Sequence, residues 1–306
     1  MDKYIVVVGG TNMDVSATSY GTIKMEDSNP GRVVLQPGGV GRNIAENLCR
    51  LGKQTSLITA LAQDLYARNI MEDCKSFGLD LSRSAVLEDE TTGLYLCIND
   101  STGDMLVAVS SMDICQRIDA ALIEQNLDFL NGASLVIIDA NLPEATIRYI
   151  AENVRAPLAC DLVSIAKCTK IKPILGKLTL VKANRFEAET ITRTKIDKLS
   201  DLEKTAAKIL ETGCKNIIVT LGDLGAYYCN AEKKGRIPSI PCTVMNTTGC
   251  GDAFMAAACA CYMENPDLEE MAKYGVVASS VTASHNGPVM PFLTVDMIER
   301  QMKIIR

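Results

Sequence analysis

Residues 246–254 read NTTGCGDAF and open an Ala- and Cys-rich run, DAFMAAACACYM. Glycines ahead of a helix start gather backbone N–H groups at the positive end of the helix dipole, a setting that favours an anion. Asp252 nevertheless puts a carboxylate at the mouth of that site. Two readings are open. As a cap, Asp252 only accepts helix N–H bonds. As a base, it faces an incoming hydroxyl while the N–H groups of Gly249, Cys250 and Gly251 face a phosphoryl group in transfer. Base and charge-stabilising dipoles then share one turn, which suits phosphoryl transfer to an alcohol.

Four other stretches carry chemistry or its structural alternative. In PGGVGRNIAENL (37–48), Gly38, Gly39 and Gly41 let a backbone approach a ligand at a helix start, or make a tight strand-to-helix turn with Asn43 as a polar helix residue. The spacing is not that of a dinucleotide fingerprint. In GGTNMDV (9–15), Asp14 falls just after the first strand, where a parallel sheet binds ligands. A short carboxylate there accepts hydrogen bonds from two vicinal hydroxyls, or it caps a turn. In KANRFEAE (182–189), Asn184 and Glu187 either hold magnesium through water near a phosphate or form the N-cap and third residue of a capping box. TLGDLGAYY (220–228) is a hairpin turn or a backbone laid against a nucleotide. His285, the single histidine, reads as a packed or capping residue.

These residues need a scaffold. The 306 residues are 47% hydrophobic, enough for one large α/β domain or two smaller ones. The net charge of −6 is spread along the chain with no basic block, which argues against nucleic acid as a partner. Twelve scattered cysteines without a CxxC pair, and one histidine, argue against structural zinc. No signal peptide precedes the first strand, and no apolar run reaches the ~20 residues that span a membrane. The cysteines therefore read as small core residues in a reducing cytoplasm. Apolar runs at 4–10, 55–61, 134–140, 158–163, 178–184 and 216–222 predict buried parallel strands. Helical patterns at 42–52, 64–77, 116–131, 143–154 and 199–212 alternate with them, and the C-terminal third is helical at 252–264, 267–284 and 294–305. The expected fold is a three-layer α/β/α with a mainly parallel central sheet. Residues 15–36 and 91–110 lack a helix and read as a small β lid, leaving 1–14, 37–90 and 111–306 as the core.

Taken together and in order, PGGVGRN, ANRFEAE, TLGDLG and NTTGCGDAF resemble the motifs of the PfkB, or ribokinase-like, carbohydrate kinase family, over essentially the whole chain. The resemblance implies ATP-dependent phosphorylation of a sugar hydroxyl, with Asp252 as base and Gly249, Cys250 and Gly251 as the anion hole. It implies that Asn12, Asp14, Gly39, Arg42 and Asn43 hold the ribose. Asn184 and Glu187 would position hydrated Mg²⁺, and Thr220, Gly222 and Gly225 would line the ATP site. Asn246, Thr248 and the 284–289 loop lie where the family often binds a monovalent cation such as K⁺. Two positions depart from the pattern: Cys250 replaces alanine, and Asn246 replaces aspartate, which leaves potassium dependence open. Residues 27–52, with the arginine of GVGRN, resemble the family's pseudouridine kinases, so the implied acceptor is the 5′-hydroxyl of that nucleoside. A kinase for ribose, adenosine or inosine is the alternative, and a silent sugar-binding regulator the next. The family's lid sheets also make a homodimer an expectation.

Overall fold

The computed structural model describes residues 3–303; the expected core limits 1 and 306 and the helix end at 305 lie outside them. The chain opens on β1 (Ile5–Val8), followed by β2 (Asn12–Ser19), β3 (Gly31–Gly38) and α1 (Val40–Arg50). Next come β4 (Thr55–Ile58), β5 (Ala60–Ala62), α2 (Leu65–Ser76), β6 (Ala85–Leu87), β7 (Leu94–Asn99) and β8 (Met105–Ser111). The middle of the chain holds α3 (Ala120–Gln125), α4 (Leu127–Gly132), β9 (Leu135–Asp139), α5 (Glu144–Asn153), β10 (Leu158–Asp161) and α6 (Ile165–Cys168). Then follow β11 (Leu180–Asn184), α7 (Arg185–Thr192), α8 (Leu199–Leu210), β12 (Asn216–Thr220), β13 (Ala226–Asn230) and β14 (Lys234–Ile237). Three helices close the chain: α9 (Cys250–Tyr262), α10 (Leu268–Ala283) and α11 (Val295–Met302).

The main sheet runs β14-β13-β12-β11-β10-β9-β1-β4. From β12 to β4 every neighbour pair is parallel, and β13 and β14 add an antiparallel edge. A strand covered on both faces needs apolar residues at every position, which is why these strands read as continuous runs. Alternation then divides them between two cores. Ile5, Val7, Leu135, Ile137, Ala159 and Leu180 pack with α1, α2, α9 and α10. Val6, Val8, Val136, Ile138, Cys160 and Val181 pack with α3, α4, α5, α7 and α8.

A second, four-stranded sheet has the order β3-β2-β7-β8. Its first two strands start at Asn12 and end at Gly38, past both ends of the 15–36 segment, and β8 ends at Ser111. Cross-strand neighbours share a face. The register therefore aligns Leu35, Val15, Leu96 and Val109 in one row, with Val33, Ala17, Ile98 and Val107 beside it. That apolar face is open: Leu35 is 50% exposed, Val33 58% and Val109 64%. The opposite face carries Asp14, Ser16, Thr18, Tyr95 and Asn99.

The single helix expected over 116–131 is three pieces: a 3₁₀ turn at Asp113–Arg117, α3 and α4. Asp119 caps α3 by accepting the Leu122 N–H, and Asn126, at φ −108°, leaves helical geometry between α3 and α4. The run 55–61 also divides, because β5 leaves the main sheet to pair with β6.

Candidate active site

α9 starts under constraint. Gly249, its N-cap, has a φ of 77°, and a side chain there would collide with the Pro288 carbonyl. Asp252 sits in the first turn but makes no capping bond; its Oδ2 instead accepts the Asn43 Nδ2–H at 2.9 Å. The Cys250 N–H has only a long 3.4 Å bond to the Thr247 carbonyl. From Asp252 to Cys261 every residue of α9 is buried, so the body of the helix holds the turn from behind. Burial, reinforced by the charge of Asp161, pushes the Asp252 carboxyl up to about 8, although Asn43 and Lys182 act the other way. A carboxyl tuned toward neutral pH is suited to take a proton from a hydroxyl.

Beneath that turn lies a row of charge. Asp139, Asp161 and Lys182 stand side by side across β9, β10 and β11 on the face that meets α9. Lys182 Nζ donates to Asp161 Oδ2 at 2.9 Å, and both side chains are buried. Burial pulls the ammonium down, but the surrounding carboxylates Asp161 and Glu187 leave it above its ordinary range. Asp139 accepts the backbone N–H groups of Gly10 and Asn141. Neither Asp161 nor Lys182 stood out as a site residue in the sequence. The available signal is a charged residue at the end of, or within, an otherwise apolar strand, LACD and LVKAN, because a charge is buried there only with a partner.

A cavity of about 1040 Å³ opens from Asp252 along the carboxyl ends of β10, β11 and β12. Its walls include Cys250, Gly251, Asn184, Glu187, Thr220, Gly222 and Gly225, with the exposed Cys242 also in the lining. Asn184 and Glu187 form the capping box of α7: Asn184 Oδ1 accepts the Glu187 N–H at 2.9 Å, and Glu187 Oε2 accepts the Asn184 N–H at 2.7 Å. Burial raises the Glu187 carboxyl against the pull of that Asn184 N–H. Each Glu187 oxygen takes one hydrogen bond from Asn184, which leaves lone pairs for water. An outer-shell role toward a hydrated Mg²⁺ fits this donor set, since Mg²⁺ keeps several waters.

Asn12, Asp14, Gly39 and Asn43 fall outside the lining of that cavity, and of the four Asn43 is the one joined to Asp252 by a hydrogen bond. Asp14 lies within β2 of the second sheet, paired with Gln36 and Tyr95, rather than in a loop behind β1. Its Oδ1 accepts the Asn12 Nδ2–H at 2.6 Å, and burial raises its carboxyl against the pull of Asn12 and Arg42. Gly39, at φ 100°, is the N-cap of α1. Arg42 is buried but points away from the cavity, into ion pairs with Glu46 and Asp73. Its link to the site is indirect: Arg42 Nη1 donates to Asn43 Oδ1 at 3.2 Å, which turns the Asn43 amide so that its Nδ2 meets Asp252. Asn246 ties its loop together, donating to the Asn286 carbonyl and accepting the Thr248 N–H. His285 Nδ1 accepts the Gly287 N–H.

The sequence profile of the pfkB family carbohydrate kinases matches residues 2–294. The pseudouridine kinase of Escherichia coli is 33% identical over 92% of this chain and 90% of that protein. The guanosine-inosine kinase of Exiguobacterium acetylicum is 26% identical over 94% of this chain and 97% of that protein. Among solved structures, the Arabidopsis thaliana ribokinase complexed with ribose and ATP shares the fold at a TM-score of 0.89 and 21% identity, covering 99% of each chain.

Proposed function

The chain belongs to the pfkB family of carbohydrate kinases, phosphotransferases acting on a sugar hydroxyl, and on that premise we propose that it converts pseudouridine and ATP to pseudouridine 5′-phosphate and ADP. The observation that carries the reading is Asp252, an uncapped and buried carboxyl at the head of α9, open to a cavity large enough for a nucleotide. In this reading Asp252 accepts the 5′-hydroxyl proton as that oxygen attacks the γ-phosphorus. The N–H groups of Gly249, Cys250 and Gly251 meet the phosphoryl oxygens. Cys250 donates the same backbone N–H that an alanine would.

Asn12, Asp14, Gly39 and Asn43 hold the ribose, and Arg42 fixes the Asn43 amide. Thr220, Gly222 and Gly225 border the adenine nucleotide. Asn184 and Glu187 hold the waters of Mg²⁺, which supplies charge neutralisation at the phosphates. Asn246 and Thr248 border the place for K⁺. We read the open apolar face of the second sheet as the contact of a homodimer, and the protein as cytoplasmic. Among the described residues no helix is long and apolar enough to cross a membrane.

The nucleoside rests on the 33% identity to the Escherichia coli enzyme. The guanosine-inosine kinase supports a purine nucleoside as the second reading. An ADP-release screen over pseudouridine, uridine, ribose, adenosine, inosine and fructose phosphates decides between them. Pseudouridine carries a ring N–H that uridine lacks, and a site satisfying it rejects uridine. The expected outcome is a kcat/KM for pseudouridine at least about tenfold above that for uridine, equal to one modest hydrogen bond. Preferred turnover of ribose or a purine nucleoside overturns the nucleoside assignment and leaves the kinase.

A further inference from the structure

Lys182 is a buried ammonium for which the roles above have no use. It projects from β11 at a position where the alternation would place a core residue, two positions after Leu180 on the same face. Its side chain is 8% exposed, and the structure gives Nζ a single hydrogen bond, to Asp161. An ammonium has three N–H donors, and buried donors are rarely left idle. The structure gives two of them no protein partner, and Lys182 belongs to the lining of the cavity. Nζ also lies directly under the first turn of α9: a Cβ added to Gly251 would stand 2.7 Å from it. A larger residue at Gly251 would therefore have to displace the end of the lysine side chain. Around this one cation stand Asp161, Asp252 and Glu187, each of which acts on its charge.

Resting on the kinase reading, we propose that Lys182 is a catalytic residue: its ammonium, held under Gly251 by Asp161, contacts the phosphoryl group in transfer. The bond from the γ-phosphorus to the β,γ-bridging oxygen breaks, and ADP leaves with that oxygen and its electron pair. The bond from the acceptor oxygen to phosphorus forms, and the acceptor proton goes to Asp252. Lys182 keeps its three protons throughout. It offsets the negative charge that the phosphoryl oxygens bring beside two buried carboxylates, the arrangement in which a fixed cation has most effect. Asp161 is the positioning residue, aiming Nζ at the turn rather than at the proton acceptor.

The test compares wild type with Lys182→Met, Lys182→Arg and the double variant Asp161→Asn with Lys182→Met, which removes both charges so that no unpaired carboxylate is buried. Thermal midpoints establish the folded fraction, and kcat and KM are taken per folded molecule. Lys182→Met and the double variant should each lose roughly 10²–10³-fold in kcat, with the acceptor KM within about threefold, and Lys182→Arg should recover part of the loss. A second readout needs no turnover: calorimetry with ADP and with a non-hydrolysable ATP analogue in magnesium. The preference of wild type for the analogue over ADP should fall by about tenfold or more in both Met variants, the loss of a charged hydrogen bond. A folded Lys182→Met or double variant with kcat within about threefold of wild type and an unchanged analogue preference overturns the proposal. A wild-type chain that releases no ADP with any acceptor overturns the kinase reading instead, and the analogue preference then decides the lysine alone.

Discussion

The two large sheets of this molecule use the same strand periodicity to opposite ends. The main sheet hides apolar residues on both faces and exposes chemistry only where its strands stop, at Asp139, Asp161, Lys182 and Asn184. The second sheet does its work along the strand. One face is a row of polar groups that includes Asp14, and the other is an apolar surface left uncovered across four strands. A sheet packed on both faces holds groups rigidly, which suits atoms that must meet a reacting phosphorus. A sheet with one polar and one open face suits recognition on one side and association on the other.

The sharpest way to break this division is at its rigid end. Asp252→Asn should cost on the order of 10²–10⁴-fold in kcat while acceptor and ATP binding persist, as removal of a general base does. Near-normal turnover, measured by ADP release, removes Asp252 from the chemistry. Next in size is the polar row of the second sheet. Asp14→Ala should weaken the nucleoside by roughly 10–150-fold, the loss of a charged hydrogen bond, and leave ATP affinity unchanged. Equal loss for both ligands in calorimetry would place Asp14 in the fold rather than in recognition.

A smaller effect sharpens the contrast through pH. The Asp252 carboxyl is pushed from 3.8 up to about 8, so over that range the folded chain keeps a proton that the unfolded chain releases. Stability from this group is therefore present at low pH, falls as pH rises from about 4, and levels off once the folded group has ionised near 8. Asp252→Asn should melt above wild type at alkaline pH, by about 2–4 °C for each kcal/mol of that loss, and level with it near pH 4. A difference that does not change with pH would show that the carboxyl carries no strain. The smallest effect belongs to the open face. Val33→Lys with Val107→Lys should leave the monomer within about 0.5 kcal/mol of wild type, as exposed substitutions do. Sedimentation should nevertheless show loss of a dimer that wild type forms at the same concentration. A wild-type chain that sediments as a monomer removes the dimer.

The same contrast explains what could be read without coordinates. Strands covered on both faces write themselves as apolar runs, and YIVVV, SLVIID and NIIVT were legible for that reason. NMDVSATS, the sequence of β2, was not, because one of its faces is polar and the other uncovered. The interrupted helix at 116–131 kept a helical period across its breaks, while the interruption rests on the conformation of Asn126. In the site, Asp252 was visible because glycines mark the turn beside it. The pairing of Asp161 with Lys182 was not visible, since only parallel register sets residues 21 positions apart shoulder to shoulder. Arg42 was seen as a residue but not in its direction: its ion pair to α2 depends on where that helix packs.

The distribution of sulfur has a practical consequence. Of twelve thiols only Cys242 is exposed, and it lies in the lining of the cavity. Burial pushes Cys49, Cys74, Cys115, Cys214 and Cys250 up to about 11, where almost none of the reactive thiolate exists at neutral pH. A maleimide dye added in slight deficit should thus mark Cys242 in the unmutated chain. Its emission would then follow each nucleotide into and out of the pocket in real time, with no cysteine removed and none introduced.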